Sequence, residues 1–126
     1  IRMGPIEMMM SLDFSSPDLL EQIEDLSDIK LDDLPYGVIA MSKDGIVVAY
    51  NKTEAQSAGL SPARVVGRHF FTSVAPCTNN YMIAHRFENE DVIDSVIDYV
   101  FTLRMAPTPV ELRMLKQPSV ERMFLI

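Results

Sequence analysis

The chain has 126 residues, 48% of them hydrophobic and 23% charged, with a formal net charge of -7 and one cysteine. This length allows one domain with a real core. The composition excludes a disordered chain, and the acidity excludes the basic stripe that direct nucleic-acid binding requires. No run approaches the roughly 18 apolar residues of a membrane span, nothing reads as a secretory signal, and a lone cysteine closes no intrachain disulfide. A cytoplasmic protein held together by packing is expected, with no membrane contact.

Residues 1–9 show no periodicity and precede a plausible start at Met10, so they are expected to be an appended or disordered tail. Residues 10–33 read as an N-terminal helical cap. Ser16-Pro17-Asp18 combines a capping residue, a proline at the first helical position and an acid favoured by the helix dipole. Leu19, Leu20, Ile23 and Leu26 then form an apolar stripe at helical spacing, which predicts a helix through about Ser27. Between Asp13 and Asp33 lie Asp18, Glu21, Glu24, Asp25, Asp28 and Asp32, with Lys30 the only base. This run reads as a solvated helix face, with a docking surface for a basic partner as the alternative.

Residues 34–126 form the main domain. Gly37 to Ser42 and Ile46 to Tyr50 are β-branched-rich runs around Lys43-Asp44-Gly45, the signature of a hairpin. Asn51 to Ala58 reads as a short helix stopped by Gly59, and Ser61-Pro62 opens another. A helix is also expected around Tyr81 to Phe87. Ile97, Tyr99, Phe101, Leu103 and Met105 alternate with Asp98, Val100, Thr102 and Arg104 and predict a strand. Pro107-Thr108-Pro109 ends it, and two further strands are expected at Val110 to Leu115 and Val120 to Ile126. Two strands, several short helices and three strands describe an α+β domain with a five-stranded antiparallel sheet, helices over one face, and space for a sensor pocket beneath them.

Particular residues narrow this further. Tyr50-Asn51, Glu54, Gly59, the run Val65-Val66-Gly67-Arg68-His69-Phe70-Phe71, and then Val74-Ala75-Pro76-Cys77-Thr78 together resemble the photoactive yellow protein family, whose members have the PAS fold. The spacing from Tyr50 to Phe87 needs no gap. A short deletion after Phe87 brings Asp98-Tyr99-Val100-Phe101 and Met105-Ala106-Pro107-Thr108 back into the pattern. The similarity spans roughly Leu34 to the C-terminus and is loose before it.

The resemblance implies a blue-light photoreceptor with p-coumaric acid esterified to Cys77, its phenolate held by Tyr50 and by a buried, protonated Glu54. A buried phenolate needs donors, and burial beside an anion raises a carboxyl pKa, so the assignment is physically coherent. Isomerisation, proton transfer from Glu54 and loosening of the N-terminal cap are the implied signal, with an unknown downstream signalling protein as listener. Phe70, Val74, Ala75, Pro76, Phe101 and Met105 are the further expected pocket residues, Met105 at the position associated with return of the chromophore. The resemblance also implies pairing through the N-terminal helix, that is, a homodimer.

Two positions depart from the family. Ala58 replaces a threonine that bonds the clamp tyrosine, and Leu60 replaces an arginine that covers the pocket. They keep a rival reading open, a chromophore-free PAS signalling or dimerisation module. A second rival is a haem-based sensor ligated by His85, since His69 beside Arg68 is expected at the surface. No zinc-like cluster, phosphate loop or nucleophile-base triad is present in the sequence, so no enzyme is expected. Taken singly, Cys77 reads as a small hydrophobe, Glu54 as a solvated acid and Met105 as core filler.

Overall fold

The computed structural model describes residues 1, 13–101 and 107–126. Most of the expected tail at 1–9, the start of the cap at 10–12, and Met105 therefore lie outside the described residues.

The Asp-Gly signal builds the first hairpin. Strands β1 (Ile39–Met41) and β2 (Val47–Tyr50) pair antiparallel, Gly45 adopts φ 83°, and its N–H donates to the Ser42 carbonyl at 2.9 Å. A positive φ of this size is strained for residues with a Cβ, which is why glycine closes the turn. The pairing skips one residue: Ala40 faces Ala49 and Met41 faces Val47, leaving Val48 as a bulge. The extra residue resets the alternation, so Val47 and Tyr50 reach the same core, whereas Ala49 reaches the other.

Five short helical segments separated by turns follow β2. Helix α3 (Lys52–Ala58) starts where the Asn51 side chain accepts from the Glu54 N–H at 3.0 Å, and it stops at Gly59 with φ 72°, as expected from its sequence. Helix α4 is Pro62–Val65, a π-helical turn spans Phe70–Val74, a 3-10 turn spans Pro76–Thr78, and α5 is Ala84–Asn89. The helix expected around Tyr81 to Phe87 thus begins three residues later. Asn80 Oδ1 accepts from the N–H groups of Met82 and Ile83, holding 81–83 as a turn.

Strand β3 is Ile93–Phe101, β4 is Thr108–Lys116 and β5 is Met123–Leu125; the sheet order is β2-β1-β5-β4-β3. Strand β3 starts four residues before the sequence reading. The polar Ser95 occupies an inward position there and accepts from Arg86 Nη2 at 3.0 Å, which hides the period-2 signal. Pro109 lies inside β4, opposite Val100. It is accommodated because β5 pairs with β4 only at Met114 and Leu115, leaving the Pro109 end of β4 without a second neighbouring strand.

The sheet separates two cores. Ile39, Met41, Tyr50, Leu112, Met114, Met123 and Leu125 join Phe70, Phe71, Ile83 and Phe87 beneath the helices. On the opposite face Val38, Ala40, Ala49, Leu115 and Phe124 meet Phe14, Leu19, Ile23, Leu31 and Leu34. The cap is two short helices where one was expected: α1 (Leu19–Ile23) and α2 (Asp28–Leu31). Ser16 does not cap α1; its hydroxyl donates to Asp18 Oδ1 at 2.6 Å and its carbonyl accepts from Arg113 Nη1 at 2.6 Å. After α1, the Glu24 carbonyl accepts from Arg122 Nη2 at 2.6 Å, and Ser27 opens α2 by accepting from the Lys30 N–H. Leu19 and Ile23 are fully buried, whereas Leu20 and Leu26 are partly so.

Candidate functional site

Tyr50 ends β2 and Glu54 lies in the first turn of α3, so the strand-to-helix turn at Asn51 brings the two side chains together. They are hydrogen-bonded, and both are buried, Glu54 to 4% exposure. Burial pushes the Glu54 pKa up to about 7, while the Ile1 amino group and the Tyr50 hydrogen bond act against the rise. Burial, the Glu54 charge and the hydrogen bond that the Tyr50 hydroxyl donates to Glu54 all push the Tyr50 phenol up. A carboxyl group that is about half protonated at neutral pH in such a place can donate or accept a proton.

Two neighbours hold Glu54. A Cβ added at Gly37 would lie 2.1 Å from Glu54 Oε1, so the side chain rests directly on the Gly37 backbone. Ile1 is buried against the same core, and its backbone pairs with Gly37: the Gly37 N–H donates to the Ile1 carbonyl at 2.9 Å, and the Ile1 amino group donates to the Gly37 carbonyl. Asn51 is the second organiser. Its Oδ1 accepts from the N–H groups of Val38 (2.8 Å) and Glu54 (3.0 Å), and its Nδ2 donates to the carbonyls of Leu31 (2.9 Å) and Tyr36 (3.0 Å). One buried amide therefore ties α3 to the end of the cap.

Cys77 sits half-buried in the 3-10 turn, packed against the helix-side core. Its carbonyl accepts from the Tyr99 hydroxyl at 2.5 Å and from Asn80 Nδ2 at 3.3 Å, and Asn80 Nδ2 also meets the Tyr99 oxygen at 2.6 Å. Ala75 and Phe70 are buried, and Val74 is partly buried, in the same core as Tyr50; Phe101 closes β3 at its edge. Pro76 is exposed, opening the 3-10 turn. Leu60 packs onto this core and Ala58 is half-buried at the end of α3. Tyr50, Glu54, Cys77, Phe70, Val74, Ala75 and Phe101 thus share one side of the sheet.

The histidines stand apart in character. His85 is exposed on α5; His69 Nδ1 accepts from the Thr72 N–H at 3.2 Å and its ring meets Phe71 edge-on at 6.0 Å. Among the described residues no three His, Cys, Asp or Glu side chains are grouped to hold a metal ion.

The sequence pattern assigns no site role to Gly37, Asn51, Asn80, Tyr99 or Arg113. Arg113 is 3% exposed on the cap side of β4; it donates to both Asp94 carboxylate oxygens at 2.9 and 3.0 Å and to the carbonyls of Phe14 and Ser16 at 2.8 and 2.6 Å. Asn51 carried a partial signal, since asparagine before a helix is a cap. Nothing local marks an arginine in a strand as buried.

The PAS fold family model matches residues 31–110. Photoactive yellow protein of Rhodothalassium salexigens is 34% identical over 110 residues, covering 84% of this chain and 87% of that one. The Halochromatium salexigens photoactive yellow protein is 34% identical over 106 residues, covering 82% and 85%. Among solved structures, the photoactive yellow protein domain of the sensor histidine kinase Ppr from Rhodospirillum centenum superposes with a TM-score of 0.76 at 36% identity, covering 83% of this chain and 95% of that domain. With its sheet order, its helix-covered core and these relatives, the chain belongs to the photoactive yellow protein family of PAS domains.

Proposed function

We propose that this domain is a cytoplasmic blue-light photoreceptor, not an enzyme, that carries a p-coumaroyl thioester on Cys77. The observation that supports it most is the buried, hydrogen-bonded Tyr50–Glu54 pair on the same side of the sheet as Cys77, with the Glu54 pKa raised to about 7. A bound p-coumaroyl group would supply the absorbing chromophore and a double bond that isomerises in light.

The residues present suit that group. Tyr50 and protonated Glu54 are two buried donors, as a buried phenolate requires. Cys77 offers a half-buried thiol on a turn held by Tyr99 and Asn80, and Phe70, Val74, Ala75 and Phe101 supply apolar walls. Loss of the Glu54 proton leaves a buried carboxylate whose neighbour Asn51 also holds the cap at Leu31 and Tyr36, so strain at Glu54 reaches α2 through one side chain. A loosened cap exposes the second core to a signalling partner. The chromophore-free signalling module is the alternative, favoured by Ala58 and Leu60.

The test is reconstitution of the purified protein with activated p-coumaric acid, beside Cys77→Ala. One added p-coumaroyl group on Cys77 and a visible band that bleaches in light and recovers in the dark are expected. Folded protein that takes no adduct refutes the photoreceptor and leaves the chromophore-free module.

A further inference from the structure

Strand β3 is one of the two outer strands of the sheet, and among the described residues its nine-residue outer edge has no strand beside it. Its even-numbered residues lie on one face and repeat a pattern. Val92 just before the strand, Val96 and Val100 are 54%, 49% and 50% exposed, and Asp94 and Asp98 alternate with them, also exposed. An unpaired edge with apolar side chains half in water is a template for another strand, and natural proteins blunt such edges with charge.

The charges decide what fits. Pairing β3 antiparallel with a second copy, Val96 against Val96, sets each Asp94 against an Asp98. Shifting the register by two sets aspartates against valines. Among the described residues of β3, Ile93–Phe101, no in-phase register brings a cation of the second copy to either carboxylate, and like charges directly opposite destabilise a strand pair. On the inner neighbour, another carboxylate, Glu111 of β4, stands directly opposite Asp98. At Asp94 the situation differs, since Arg113 already pairs with that carboxylate.

We propose that the outer edge of β3 receives an extended segment of a partner protein in which lysine or arginine alternates, two residues apart, with an apolar side chain. The cations lie against Asp98 and Asp94, the apolar residue against Val96, and the backbones add one antiparallel ladder to the sheet. On the opposite face the added strand abuts Ile97 and Tyr99, both partly buried, and Tyr99 is bonded to the Cys77 carbonyl. The edge does not depend on the chromophore, so failure here leaves the photoreceptor reading untouched.

The test uses the chromophore-free protein and a labelled peptide, acetyl-Lys-Thr-Val-Thr-Lys-Thr-Val-amide, followed by fluorescence anisotropy and amide hydrogen exchange. Saturable binding is expected that slows exchange at alternate amides of β3. It should weaken at least about tenfold in Asp98→Lys and by a smaller factor in Asp98→Asn. A peptide with glutamate for lysine, and one N-methylated along its bonding edge, should not bind. Absence of binding, binding equal in both Asp98 variants, or slowed exchange on the acidic cap in place of β3 overturns the proposal. Protection of β3 that grows with protein concentration without peptide also overturns it, and assigns the edge to a second copy.

Discussion

Glu54→Gln isolates the ionisation on which the site's chemistry rests. Folding raises the Glu54 pKa from its usual 4.5 to about 7, chiefly by burial. A carboxyl group raised in this way favours the folded state only while protonated. Its contribution is therefore complete below about pH 4.5 and declines as pH rises to about 7, beyond which the folded state carries a buried charge. With each pKa unit worth about 1.36 kcal/mol, the rise amounts to roughly 3 kcal/mol of stability lost across that window. Glutamine keeps the shape and the bond to Tyr50 but does not titrate. The assay is urea unfolding of the chromophore-free protein at a series of pH values between 4 and 8, wild type beside Glu54→Gln. The difference between them removes the other carboxylates, which titrate alike in both. The variant is expected to gain on the wild type by about 3 kcal/mol from the acid end to the neutral end. Parallel curves for the two proteins would refute the buried, pKa-raised acid.

Three other substitutions address the supports of the site. Gly37→Ala places a methyl group 2.1 Å from Glu54 Oε1, so it is expected to cost about 1–3 kcal/mol. Most of that cost should vanish in a Glu54→Ala background, as a double-mutant cycle by urea unfolding will show. Asn51→Ala leaves two backbone donors and two carbonyls without their partner and is expected to cost about 2–4 kcal/mol. Amide exchange should then rise first in α2 and at the start of α3. Asp94→Ala strands the buried Arg113 guanidinium and is expected to cost about 3–5 kcal/mol, whereas replacing the pair together, Arg113→Met with Asp94→Ala, should cost much less. Thermal unfolding of the three proteins checks the order.

The sequence by itself determined the strands that repeat every second residue, the turns that need a positive φ, and the family. The alternation of Ile97, Tyr99 and Phe101, the Asp44-Gly45 turn and the Asn51 to Gly59 helix all stand as expected, because each is a local preference written into a few neighbouring residues. The spacing of Tyr50, Glu54 and Cys77 was legible for the same reason, as a motif along the chain. Contacts between distant segments were not. That Ser16 serves Arg113 and leaves α1 uncapped, that Glu24 meets Arg122 between two cap helices, and that Ser95 belongs to a strand follow from partners up to 98 residues away. The bulge at Val48, the place of Gly37 beneath Glu54 and the four bonds of Asn51 likewise exist only once sheet and helices are packed. The burial of Glu54 was legible only through the family motif, since the residue by itself reads as a solvated acid; tertiary structure alone decided that the β3 edge is open, because burial and strand order depend on which surfaces meet, and no short stretch of chain specifies that.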